Sequence, residues 1–205
     1  MAGTFEWPKR PIDGIERLIL HWTAGERDIP NGGIHVATPE EMRRYHILVE
    51  HDEGPTPDPA DDEINVLAGV PIERNAGSVR GKPGAHRDWT NGYAAHTRGF
   101  NSGSLGLSLC GMRGAVDYRP GGDVDPGPSP ITSRQVDVML GMIVQFLRIW
   151  GYAPTDDRVF THWEAGAIHG RPQGGRWDIG WIPGHHFRRE QVGPWIRRQV
   201  RERTA

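Results

Sequence analysis

The chain is poor in cysteine. Cys110 stands alone among 205 residues, so no internal disulfide can form. That count is compatible with a reducing site of synthesis. Long apolar runs are also missing: no stretch approaches the roughly 20 residues of a membrane helix, so no transmembrane segment is expected. Neither sign of charge dominates, with 24 Lys and Arg against 26 Asp and Glu and a formal net charge of −2. That balance gives no general attraction to nucleic acid or to an anionic membrane. The first residues, Met1 to Pro8, lack the basic and apolar regions of a secretory signal. Synthesis in the cytoplasm is therefore expected, with delivery by another route if the substrate lies outside. The sequence has no internal repeat and no low-complexity tract.

What is present suits one α/β domain spanning residues 1–205, expected as a monomer. The 28 glycines and 17 prolines point to turn-rich loops around a compact core, below the level that signals disorder. Arg17 to Trp22 reads as a short buried strand ending at Thr23-Ala24-Gly25. Thr38-Pro39-Glu40-Glu41 is a helix start, with a cap, a proline and early acidic residues. That helix must be short, because Tyr45 to Glu50 reads as a strand. Residues 52–62 and 77–92 are loops by composition, and Ile64 to Ile72 has room for one or two short strands. Ser104 to Cys110 alternates apolar and small residues with period two, the pattern of a strand with one closely approached face. A long loop covers 113–130. Thr132 and Gln135 then form a capping box for a helix carrying Val136, Met139, Ile143, Phe146, Leu147 and Trp150, with Gly151 as its stop. A strand over Arg158 to His162 and an amphipathic helix over about 190–203 complete the pattern. A mixed central sheet flanked by helices is the expected architecture.

Ten histidines are many for this length, and most need not be ligands. His21 and His162 stand out because each ends an apolar strand, where side chains are held more rigidly than in loops. Asp178 is a candidate third ligand. On composition alone His169, His185 and His186 rival it, and Asp178 also suits a plain turn before Ile179-Gly180. Two imidazoles and one carboxylate are a sufficient protein ligand set for a catalytic zinc with one position open to water. Such an ion lowers the pKa of bound water toward about 7 and polarises a carbonyl. Arg176 lies two residues before Asp178, on the same face of an extended segment, where a cation would stabilise an oxyanion.

Four segments, in order, resemble the zinc-dependent N-acetylmuramoyl-L-alanine amidases, the family of the small phage lysozyme-type amidases and peptidoglycan recognition proteins. They are Leu20-His21-Trp22-Thr23-Ala24, Tyr45-His46-Ile47-Leu48-Val49, Ala95-His96 through Asn101 to Leu107, and Thr161-His162 with Arg176-Trp177-Asp178. The match spans residues 18–180, in a motif-bearing core of about 16–182. The resemblance implies an amidase-like fold and zinc held by His21, His162 and Asp178. It implies that Tyr45 assists the metal water and that Arg176 replaces the family lysine at the oxyanion. His46 and His96 would line the groove, and Asn101 would contact glycan or peptide. The implied partner is peptidoglycan or its muropeptides, and a phage or prophage endolysin is the implied setting.

Three departures matter. Arg176 keeps the lysine's charge but not its point geometry. Ile179 stands where many members have proline. Ser108 stands where some members carry a catalytic glutamate, which favours the tyrosine variant of the mechanism. Competing readings are a cytoplasmic muropeptide-recycling amidase, a zinc peptidase cutting within the stem, and a non-catalytic peptidoglycan-binding module. Cys110 reads as a small buried residue. Trp163, Trp177 and Trp181 read as loop packing or sugar-stacking rings. The arginines of the last helix, Arg188, Arg189, Arg197, Arg198, Arg201 and Arg203, read as a solvated face.

Overall fold

The computed structural model describes residues 3–26, 37–52, 63–76, 93–118, 124–170 and 173–204. Asp52, expected to open the 52–62 loop, ends a strand; residues 53–62 of that loop, the loop expected at 77–92, and residues 119–123 of the 113–130 loop lie outside the described residues.

One mixed α/β sheet carries the fold. Its strands are β1 (Gly3–Thr4), β2 (Arg17–Trp22), β3 (Ile47–Asp52), β4 (Glu63–Ala68), β5 (Ser104–Leu109) and β8 (Val159–Thr161). They lie in the order β1-β4-β3-β5-β2-β8. β3, β5, β2 and β8 are mutually parallel neighbours, while β1 and β4 add an antiparallel edge. A separate two-stranded ladder, β6 (Val116–Asp117) with β7 (Val124–Asp125), lies within the expected 113–130 loop.

The two faces of the sheet do different work. Leu18, Leu20 and Trp22 of β2 and Leu105, Leu107 and Leu109 of β5 join the main core. Helix α2 (Ser133–Trp150) packs on that face, contributing Val136, Met139, Ile143 and Phe146. Its start is fixed as the sequence predicts: Thr132 accepts the Gln135 N–H at 3.2 Å, and the Gln135 side chain accepts the Thr132 N–H at 2.9 Å. Gly151 ends it in the left-handed conformation, φ 68°. Because strand side chains alternate, Ile19 and His21, and Gly106 and Ser108, point to the opposite face. Gly106 is small for a reason. A Cβ there would lie 2.7 Å from Cγ of His96, so the imidazole of His96 occupies the space the missing side chain leaves.

Three local readings are corrected. The strand expected over Arg158 to His162 stops at Thr161, and His162 opens the short helix α3 (His162–Ala167). Thr161-His162-Trp163-Glu164 is itself a capping box: Thr161 accepts the Glu164 N–H and Glu164 accepts the Thr161 N–H. Tyr45 and His46 precede β3 rather than lying in it, because the Tyr45 N–H still donates to Glu41 O beyond helix α1 (Pro39–Met42). Finally, helix α4 (Arg189–Thr204) is not lined by solvated arginines throughout. Arg197 is buried and makes a bidentate pair with Glu164, at 2.8 and 3.1 Å, and Arg189 pairs with Asp117. Gly193 allows this approach, since a Cβ there would lie 2.1 Å from the Glu164 carboxylate. Among the described residues no helix is long and apolar enough to cross a membrane.

Candidate metal centre

β2 delivers His21, the start of α3 delivers His162, and the 173–178 loop delivers Asp178. Their ligand atoms lie within 4.8 Å of one another, and all three residues are buried. His21 Nδ1 is 2.9 Å from Asp178 Oδ2, and His162 Nδ1 is 3.1 Å from the same oxygen. Metal–ligand bonds of about 2.0–2.1 Å set tetrahedral edges of about 3.3 Å. The two edges that meet at Asp178 Oδ2 are thus a few tenths of an ångström shorter than those of a zinc tetrahedron, while all three ligand atoms lie within 4.8 Å. Two imidazole nitrogens and one carboxylate oxygen, converging from one side, fit a divalent cation. His169, His185 and His186 do not join the cluster. His169 instead contacts the Asp156 carbonyl, and His185 stacks on Phe187.

Each outer ring nitrogen is also held. His21 Nε2 lies 3.1 Å from Thr97 Oγ1 and 3.2 Å from His96 Nδ1. His162 Nε2 lies 3.0 Å from Gln173 Oε1. Such contacts orient ligating imidazoles and set their tautomers. Behind them, the buried Asn75 amide donates to the carbonyls of Ala94 and Asn101 and accepts the Ala94 N–H. It thereby ties down the segment bearing His96 and Thr97.

His162 and Asp178 form part of the wall of an open cleft of about 1030 Å³, with His21 buried behind them. His96, Asn101 and Arg176 border that cleft, with Trp22 and Trp177 on one side, their rings meeting edge to face at 4.8 Å. Asn101 also serves the backbone: its Oδ1 accepts the Thr97 N–H at 2.6 Å. Tyr45 and His46 do not border the cleft. The Tyr45 ring lies behind His21, 5.1 Å between centroids. His46, expected to line the groove, is enclosed, because its Nδ1 is used to accept the Gly106 N–H at 2.9 Å.

Electrostatics follow from burial. Burial lowers His21 to about 4, with its bond to Asp178 opposing the fall and the nearby His162 and Arg176 adding to it. Burial likewise lowers His46 to about 3 and His96 well below the usual histidine value. These rings are neutral at pH 7, the form that binds metals. Burial alone would raise Asp178, but His162 and the bonds from His162 and His21 more than reverse that, leaving it ionised. Tyr45 is raised, first by burial and then by the Asp178 charge.

Sequence reasoning missed Thr97, Gln173, Asn75 and the Glu164–Arg197 pair. Only the last left a signal, a glycine inside a helical pattern four residues before an arginine. Comparison of the chain with protein-family models, curated proteins and solved structures found no match.

Proposed function

We propose that the protein is a zinc-dependent amidase that hydrolyses the bond between the lactyl group of N-acetylmuramic acid and L-alanine in peptidoglycan. The observation that carries the hydrolase reading is the convergence of His21, His162 and Asp178 beside an open cleft, with His21 and Asp178 drawn together across 157 positions of sequence. The choice of bond rests on the order of the four sequence motifs. Zinc suits the donor set, since two histidines and a carboxylate are a known catalytic combination. Once bound there, it supplies an acidified water and an electrophile for the carbonyl.

The chain's own groups do the rest. His21 and His162 offer Nδ1, and Asp178 offers Oδ2. Arg176, exposed on the cleft wall, is a permanent cation for the oxyanion that develops on the carbonyl. Tyr45 stays protonated across physiological pH, so it is not the base; its ring packs on His21 away from the cleft wall, where it supports that ligand. His96 and Asn101 border the space the substrate would fill. A phage or prophage lysis role, with release by a membrane-permeabilising partner, is the setting we favour. Activity confined to soluble anhydro-muropeptides, with none on intact sacculi, would indicate recycling instead.

The test is product analysis. Purified protein should release new L-alanine N-termini from peptidoglycan, and chelation or His162→Ala should abolish the release. New reducing ends without new amines would sink the proposal. Cuts within the stem that leave the lactyl–alanine bond intact would mean a zinc peptidase. Well-folded protein that takes up no zinc would mean a binding module.

A further inference from the structure

We infer that Gln173 is a positioning residue that holds His162 in the tautomer presenting its Nδ1 lone pair to the metal, an inference that rests on the metal-centre reading above. The orientation of the Gln173 amide is decided by chemistry. Its Nε2 lies 2.9 Å from the Arg98 carbonyl oxygen, which can only accept. The amide nitrogen therefore faces Arg98, and Oε1 faces His162 Nε2 at 3.0 Å. That oxygen carries no proton, so His162 Nε2 must donate.

The consequence appears at the other end of the ring. A neutral imidazole protonated at Nε2 has its lone pair at Nδ1, which lies 3.1 Å from Asp178 Oδ2. Two lone pairs facing each other at that distance repel. The arrangement is stable only with positive charge between or upon them, supplied by a metal ion or by a second ring proton. Gln173 thus keeps one nitrogen committed to donation and reserves the other for the cation. It also joins two walls of the cleft, because Arg98 and Gln173 both border it from different segments. Nothing in the sequence pattern marks this glutamine; it sits between residue 172 and Gly174-Gly175 in a loop without periodicity.

The test compares zinc affinity, by chelator competition, in wild type, Gln173→Met and Gln173→Glu. Loss of an orienting partner of this kind typically weakens metal binding about 10–100-fold, and that loss is expected for Gln173→Met. Gln173→Glu keeps an acceptor toward His162 while losing the donor to Arg98, so it should bind within a few-fold of wild type. A merely structural role would impair both variants alike. Long-range 15N spectra of the zinc-loaded wild type should show His162 protonated at Nε2 and ligating through Nδ1. Equal affinity in wild type and Gln173→Met overturns the inference. So does a Gln173→Glu variant as weak as Gln173→Met, or ligation through Nε2. Failure of the wild type to take up zinc would instead overturn the metal-centre reading, and this inference with it.

Discussion

Arg197→Met should be among the most damaging substitutions remote from the cleft. Arg197 and Glu164 have side chains 9 % and 1 % exposed, and two hydrogen bonds join them. Arg197 also donates to the Val159 carbonyl at 2.9 Å. Removing the guanidinium leaves the Glu164 carboxylate buried against Gly193 without its cation. Breaking one side of a buried pair costs about 3–5 kcal/mol, because the surviving charge is uncompensated. For a chain of this size each kcal/mol moves Tm by about 2–4 °C, so a fall of about 6–20 °C is expected. Urea and thermal unfolding of the metal-free protein measure it. The double variant Arg197→Met with Glu164→Gln removes the stranded charge while keeping an acceptor for the Thr161 N–H, and should recover a good part of the loss. A single-variant cost below about 1 kcal/mol, the level of an exposed pair, would refute the reasoning. The effect bears on the site, since Glu164 caps the helix whose first residue is His162.

Two further outcomes follow from the same geometry. Gly106→Ala puts a methyl group 2.7 Å from the His96 ring, and overpacking of this kind costs about 1–3 kcal/mol; an unchanged Tm would contradict the close fit. Stability of the metal-free protein should fall with acid. His21 and His46 titrate at about 4 and about 3 when folded, against about 6.5 unfolded. The unfolded chain therefore binds more protons below pH 6.5, so stability is full above that pH and drops as pH falls. Together the two rings should cost about 3 kcal/mol between pH 6.5 and 5, His96 adds in the same direction, and His46→Gln should remove about a third of the slope in urea midpoints. A flat midpoint across this window would contradict neutral burial.

The readable parts of the fold were those where one local rule acted alone. β2 was a pure apolar run, α2 had a cap, a periodic face and a glycine stop, and both formed over the expected residues. β5 showed its two faces in the sequence, but not what Gly106 and Ser108 make room for, because His96 arrives from another segment. Thr161 to Glu164 carried two signals at once. The apolar strand pattern drew attention away from the capping box, which won because both of its hydrogen bonds form. Arg197 looked solvated because composition cannot show that Glu164 waits across a glycine. Of the site, His21, His162 and Asp178 could be singled out from rival histidines only through motif order; their convergence is a product of three separate segments. Gln173 and Asn75 were invisible because a side-chain amide tying one loop to another leaves no periodic trace.

The most direct test of the metal centre is anomalous diffraction at the zinc edge from crystals of zinc-loaded protein. A single strong peak should lie about 2.0–2.2 Å from His21 Nδ1, His162 Nδ1 and Asp178 Oδ2, the bond lengths zinc takes with nitrogen and oxygen. A fully loaded crystal whose peak lies on other residues, or that misses any of these three atoms, would contradict the account.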